Sequence, residues 1–137
     1  MHPFHIAVPV HDLEAVRPFY QTLGGRLAVE QSHADIWDFH GHQMVTHVVA
    51  GYDATDAGSN HVDLHNVPIP HFGLVLDVAA WQTLRDRLEA AGTEFIIKPH
   101  ERYAGTTGAQ WTMFLRDPSG NALEFKAFED PARAFSR

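Results

Sequence analysis

The chain has 137 residues, 45% of them hydrophobic and 20% charged, no cysteine, and a formal net charge of -7. That length suits a single domain, here 1–137, with a real core, and the lack of thiols rules out disulfides and thiolate chemistry. The acidic balance argues against nucleic acid or an anionic membrane as partner; with no signal-peptide pattern and no membrane-spanning run, a cytoplasmic location is expected.

Phe4 to Val10 alternates, with Phe4, Ile6, Val8 and Val10 on one face and His5, Ala7 and Pro9 on the other. Asp12 caps a helix whose apolar stripe is Leu13, Val16, Phe19, Tyr20 and Leu23, and Gly24-Gly25 ends it. Three strands follow, at Arg26 to Gln31, Asp35 to His40 and Gln43 to Val49, the last two joined by a tight turn at Gly41-His42. This first module, about 3–50, reads β-α-β-β-β. Residues 51–70 are rich in Gly, Asp, Asn and Pro without an apolar period and read as a linker. His61 and His65 lie there, four apart, but with no helix signal to bring them onto one face they read as solvated loop residues.

The second module, 71–128, repeats the pattern. From His71 to Val78, Phe72, Leu74, Leu76 and Val78 share one face, and His71, Gly73 and Val75 the other. A helix over Ala79 to Ala91 carries Trp81, Leu84 and Leu88 inward and stops at Gly92. Glu94 to Lys98 is a short strand, and Pro99 to Gln110 a loop carrying His100, Glu101, Arg102 and Tyr103. Strands at Trp111 to Arg116 and Ala122 to Phe128 close the module, and 129–137 form a polar surface tail. The fold class is therefore α+β: paired βαβββ modules forming a curved mixed sheet around a cup, helices outside. Ile6, Val8, Leu74, Leu76, Leu123 and Phe125 are expected under the helices.

Eleven histidines are many for this length. His5 and His71 hold matching positions, each at the start of the first strand of its module and on the face away from the helix. Asp117-Pro118-Ser119-Gly120-Asn121 is a turn leading into the last strand, where Glu124 sits among core residues. A carboxylate there is costly unless paired or bound to a metal. Two imidazoles and one carboxylate are the donor set of the facial triad that holds non-haem Fe(II) with open positions. Counting from Gly41 and Gly120 aligns Glu124 with Val45, so the first module has no matching carboxylate. His47 points the same way as Val45 and is a candidate general base, with an ordinary strand histidine or a further ligand as alternatives. Tyr103, with Arg102, is a candidate to close over a bound anion.

With these motifs in hand, the chain resembles the vicinal oxygen chelate superfamily, which groups glyoxalase I, fosfomycin-resistance transferases, bleomycin-resistance proteins and extradiol dioxygenases. The resemblance runs from Phe4 to Phe128. It rests on Phe4-His5-Ile6-Ala7-Val8, on Phe19-Tyr20 before Leu23-Gly24, on His71-Phe72-Gly73-Leu74, and on Asp117 to Asn121 leading to Leu123-Glu124-Phe125. It implies a divalent metal on His5, His71 and Glu124: Fe(II) first, then Mn(II), with Zn(II) also admissible. Glyoxalase I commonly has a fourth protein ligand where Val45 stands here, so the set matches the extradiol dioxygenases, and the segments look most like predicted extradiol-type dioxygenases. The expected function is an Fe(II)-dependent dioxygenase of that type, acting on a small vicinal diol or enediol. A glyoxalase-like lyase, isomerase or thiol transferase on the same metal is the alternative, and a metal-free drug-binding resistance protein the second. The expected partners are a small-molecule substrate and a second copy of the chain, with neither nucleic acid nor membrane.

Overall fold

The computed structural model describes residues 1–55, 58–62 and 65–136. Strand β1 (His5–Val10) leads to helix α1 (Leu13–Thr22) and strands β2 (Arg26–Glu30), β3 (Ala34–Phe39) and β4 (His42–Val48). A short hairpin of β5 (Ser59–Val62) and β6 (His65–Pro68) comes next. Strand β7 (His71–Leu76), helix α2 (Val78–Ala90) and strands β8 (Phe95–Arg102), β9 (Gln110–Arg116) and β10 (Ala122–Phe128) complete the sheet elements. One four-stranded sheet runs β1-β4-β3-β2 and the other β7-β10-β9-β8; in each the first pair is parallel and the others antiparallel. The order and sense are the same, so the chain is α+β, built from two βαβββ modules. No helix among the described residues is long and apolar enough to cross a membrane.

The chain divides into two compact units, Met1–Asp56 with Asp117–Asn121, and Ala57–Arg116 with Ala122–Arg137. In the first, Asp12 caps α1 by accepting from the Ala15 amide at 3.2 Å, and the helix buries Leu13, Val16 and Tyr20. Val8 and Val10 are buried in β1, as alternation requires, but Phe4, read onto the same face, precedes the strand and is 66% exposed. The β3–β4 turn is His40-Gly41, one residue earlier than expected. Both residues have positive φ (54 and 86), the backbone of a two-residue hairpin turn that only its second residue, glycine, adopts freely. The turn Asp117 to Asn121 is a hydrogen-bonded knot on a buried carboxylate. Asp117 Oδ2 accepts from the Tyr20 hydroxyl at 2.6 Å and the Asn121 side-chain amide at 2.9 Å, and Oδ1 from the Ser119 and Asn121 backbone amides at 2.8 and 2.9 Å.

In the second unit, Asp77 caps α2 through the Ala80 amide, and Trp81, Leu84 and Leu88 face inward. The Trp81 indole donates to the Phe125 carbonyl at 2.8 Å and pins α2 to β10. Leu123 and Phe125 are fully buried on that face, whereas Ile6 in the first unit and Leu74 and Leu76 here are only half-buried.

Three further sequence expectations change. Residues 51–70 contain the β5–β6 hairpin; its four-residue, largely polar strands carry no alternation to reveal them. Strand β8 runs on to Arg102, past Pro99, because its ladder to β9 is irregular between Ile97 and His100, where a residue without an amide hydrogen is tolerated. The tail contains a short 3-10 helix at Pro131–Phe135, opened by Asp130.

Candidate metal centre

In the second unit, register pairs His71 with Ala122 and Gly73 with Glu124. His71 and Glu124 therefore lie on neighbouring strands, two positions apart, on the face opposite Leu123 and Phe125. Gly73 permits the approach: a Cβ there would run into the Glu124 carbonyl. His71 Nε2 lies 3.0 Å from Glu124 Oε2, and His71 Nδ1 donates to the Pro68 carbonyl at 2.7 Å. Glu124 Oε1 accepts from the Thr112 hydroxyl at 2.9 Å and lies 3.7 Å from Lys126 Nζ. Phe114 meets the imidazole edge-on, ring centroids 5.0 Å apart.

The hydrogen bond to Glu124 raises the His71 pKa; burial opposes it, and the Pro68 carbonyl adds to the rise. Burial pushes Glu124 up, but the His71 hydrogen bond, the charge of Lys126 and the Thr112 hydroxyl outweigh it, and the carboxyl ends below its ordinary value. Both imidazole nitrogens thus face acceptors. A neutral ring, with its one hydrogen committed to Pro68, would set its Nε2 lone pair against a carboxylate. Either a second proton or a metal ion must lie between them. A carbonyl fixing the distal nitrogen and a hydroxyl steadying the carboxylate are the outer-shell contacts that orient metal ligands, so the residues fit a divalent ion.

The pair lines a cleft of about 210 Å³. Val67, Ile97 and Phe114 form an apolar cluster in its wall, and His65, His100 and Arg102 also line it. His65 is therefore a half-buried wall residue on β6, not the solvated loop residue expected from sequence, with its ring 5.3 Å from that of His100. His61 is exposed, 3.4 Å from Asn66 Oδ1 through Nδ1. Lys126 and Thr112 were legible by parity, each two residues from a residue of this face; His65 had no such signal.

In the first unit, His5 is exposed and its Nδ1 donates to Gln43 Oε1 at 2.7 Å. His5, like His71, thus has its Nδ1 hydrogen committed to a protein oxygen. Among the described residues, no three His, Asp or Glu side chains are gathered to hold a metal; His71 and Glu124 meet as a pair.

The family model of the Glyoxalase/Bleomycin resistance protein/Dioxygenase superfamily matches residues 2–125. The chain belongs to this superfamily, the vicinal oxygen chelate group. A glyoxalase/bleomycin resistance protein/dioxygenase from Alicyclobacillus acidocaldarius is similar, with 29% identity over 98% of this chain and 96% of that one and a TM-score of 0.77. The lactoylglutathione lyase of Agrobacterium tumefaciens (18% identity, 93% and 94% covered, TM-score 0.65) and a fosfomycin resistance protein of Listeria monocytogenes (16%, 93% and 93%, 0.67) share the fold. No match is found among curated proteins. Vicinal oxygen chelate proteins are typically enzymes and often bind a divalent metal.

Within this superfamily the departures of the chain gain meaning. Register pairs Ala7 with Val45 just as it pairs Gly73 with Glu124, so Val45 occupies the strand position equivalent to Glu124 and is buried. His47 pairs with Pro9, four residues along from the His5–Gln43 pair, roughly 13 Å at ~3.3 Å per residue, and is exposed. Tyr103 follows β8 with φ 56; its hydroxyl accepts from Arg102 Nη2 at 3.0 Å and its ring lies 5.1 Å from the guanidinium carbon.

Proposed function

We propose that the protein is an Fe(II)-dependent dioxygenase of the extradiol type, acting on a small vicinal diol or enediol. His71 and Glu124 are two of its ligands and His5 the third, assigned on the equivalence of β1 and β7. The single observation that carries the reading is the His71–Glu124 pair, with one imidazole nitrogen tied to Pro68 and the other turned on a carboxylate. The committed Nδ1 hydrogen of His5 supports its inclusion. When bound, an ion in a set of two imidazoles and one carboxylate supplies Lewis acidity and, as Fe(II), a redox centre open to a chelating diol and to dioxygen. Mn(II) is the next choice, and Zn(II) would fit the same donors.

The chain's own residues do the rest. The Pro68 carbonyl holds His71 in the tautomer that leaves Nε2 for a ligand, and Thr112 holds Glu124 by Oε1. Val67, Ile97 and Phe114 give the substrate a dry wall. Val45, apolar where glyoxalase I commonly has a ligand, leaves the donor set at three. His47 is proposed to take the substrate's hydroxyl proton, which requires a substrate that reaches along β4 from the His5–Gln43 pair. Tyr103, hydrogen-bonded to Arg102, is proposed to close with it over the bound substrate anion. In the reaction a catechol and one dioxygen give a ring-opened product that contains both oxygen atoms. The reading has the chain working in the cytoplasm as a homodimer.

The test is oxygen consumption by protein loaded anaerobically with Fe(II), assayed against a panel of catechols and enediols. Oxygen uptake matched to substrate loss is expected. Turnover at an unchanged rate under strict anaerobiosis would overturn the dioxygenase in favour of a lyase or isomerase.

A further inference from the structure

The wall of the second unit's cleft holds a pair of imidazoles that the dioxygenase reaction does not use. His65 on β6 and His100 on β8 are both half-buried, with ring centroids 5.3 Å apart and planes tilted by 36°. His100 Nδ1 lies 2.9 Å from the Lys98 carbonyl, which can only accept, so Nδ1 carries the hydrogen and Nε2 the lone pair. His71 stands in the same way on the Pro68 carbonyl, and such a contact fixes the tautomer of a metal-binding histidine. Among the described residues, His100 is hydrogen-bonded only through Nδ1, and His65 through neither ring nitrogen.

The backbone brings the two rings together from different elements. An unbroken ladder from the Ile97–Phe114 pair would set Pro99 opposite Thr112; the irregularity in β8 sets His100 there instead. Such a bulge re-aims a side chain, and here it turns His100 onto the cleft side of β8. On β6, His65 lies two residues from Val67 and so shares its face, which packs on Ile97 and Phe114. The spacing that results suits a shared ion. Two imidazoles that each give one nitrogen to a tetrahedral ion at ~2.0–2.1 Å hold their ring centres roughly 5 Å apart.

We infer that His65 and His100 form a second metal site, for an exchangeable Zn(II) ion, separate from the His71–Glu124 pair. Two neutral imidazoles suit Zn(II) and its transition-metal neighbours rather than Mg(II) or Ca(II), which prefer oxygen. A net charge of -7 favours the approach of any cation. No third His, Asp or Glu joins the pair among the described residues, so water fills the remaining positions. With two protein donors against the three proposed for the first site, the ion is lost on gel filtration and is detected by titration at equilibrium. It clamps β6, whose hairpin pairs with neither four-stranded sheet, to β8. Strand β6 ends at Pro68, whose carbonyl orients His71, so the clamp also steadies that contact. The site does not depend on the dioxygenase reading.

The test is calorimetric titration of the metal-free, full-length protein with Zn(II) alone, beside His65→Gln, His100→Gln, their double variant and Glu124→Gln. Both positions are half-buried, so the two histidine variants should unfold at the wild-type temperature in the absence of metal. One Zn(II) equivalent should weaken at least about tenfold in each histidine variant, with no further loss in the double variant, and should survive in Glu124→Gln. Zn(II) should also slow amide hydrogen exchange across β6 in the wild type and not in His100→Gln. A single equivalent that Glu124→Gln abolishes, a second equivalent that either histidine variant retains in full, or losses that add in the double variant would each overturn the inference. The two proposals fail separately. An equivalent that requires His65 and His100 stands where oxygen uptake fails with every catechol, and oxygen uptake without such an equivalent sinks the second site alone.

Discussion

The imidazole of His71 and the carboxylate of Glu124 meet at 3.0 Å, Nε2 against Oε2, across the parallel pair β7–β10. With Nδ1 already given to Pro68, the contact is favourable only with a cation between the two atoms, a proton or a metal. Replacing Glu124 by Gln tests this with little change of shape. A carboxamide can donate to the neutral Nε2, so the fold should hold, while the loss of negative charge should weaken the metal site. Metal stoichiometry after Fe(II) or Zn(II) loading should fall well below one in Glu124→Gln and in His71→Ala. Full occupancy in both variants would remove the pair from the metal site.

The same contact sets a pH dependence in the metal-free protein. The His71 pKa is raised above its ordinary 6.5, so its contribution is fully present below that value and is lost as pH rises through the folded-state pKa. Glu124 is lowered from 4.5, so its contribution is present above that value and is lost as pH falls through its folded-state pKa. The pair therefore stabilises most between 4.5 and 6.5. Urea midpoints measured across pH should be highest in that window, and Glu124→Gln should flatten both edges. An unchanged profile in that variant would show that other groups set it.

Much of the fold was legible because it is periodic. Alternation in β1, β7 and β10 and helical spacing in α1 and α2 revealed the repeat, and parity placed Glu124 on the face of His71. Long-range pairing was not legible. The turn Asp117 to Asn121 was recognisable as a turn, but its buried carboxylate is satisfied by Tyr20, 97 residues away. Hairpin β5–β6 escaped because Ser59, Asn60 and His61 offer no apolar face; its stability comes from pairing and from Val67 in the wall cluster. The sequence ends strand β8 before Pro99 because a proline interrupts a regular ladder, and only the irregular pairing with β9 lets it continue to His100 and Arg102, which line the cleft.

The Tyr20–Asp117 contact gives a stability prediction independent of the metal. Both groups are buried, and burial, then the neighbouring carboxylate, pushes the Tyr20 hydroxyl well above its ordinary pKa. Tyr20→Phe removes one donor and leaves Asp117 with its amide partners, so a loss of about 1–3 kcal/mol is expected. Asp117→Ala strands the Tyr20 hydroxyl and the Ser119 and Asn121 amides together and should cost clearly more. Equal losses in urea unfolding would mean that the knot does not act as a unit.

Gly73 offers the sharpest test of the strand arrangement under the site. A Cβ at this position would run into the Glu124 carbonyl and approach its carbon to 2.7 Å, so Gly73→Ala must push β7 away from β10 where the site residues meet. Overpacking of this kind costs about 1–3 kcal/mol when side chains can yield, and here the obstacle is backbone. The displacement separates His71 from Glu124, so stability and metal binding should fall together. Leu74→Ala is the control, one residue along on the opposite face. Leu74 is only half-buried, so its truncation should cost at or below the lower end of the ~2–5 kcal/mol of buried leucines, and it should leave metal stoichiometry intact. Urea unfolding and metal analysis on both variants decide the matter. If Gly73→Ala keeps full stability and full metal, the close pairing of Gly73 with Glu124 is wrong, and the placement of the candidate ligands falls with it.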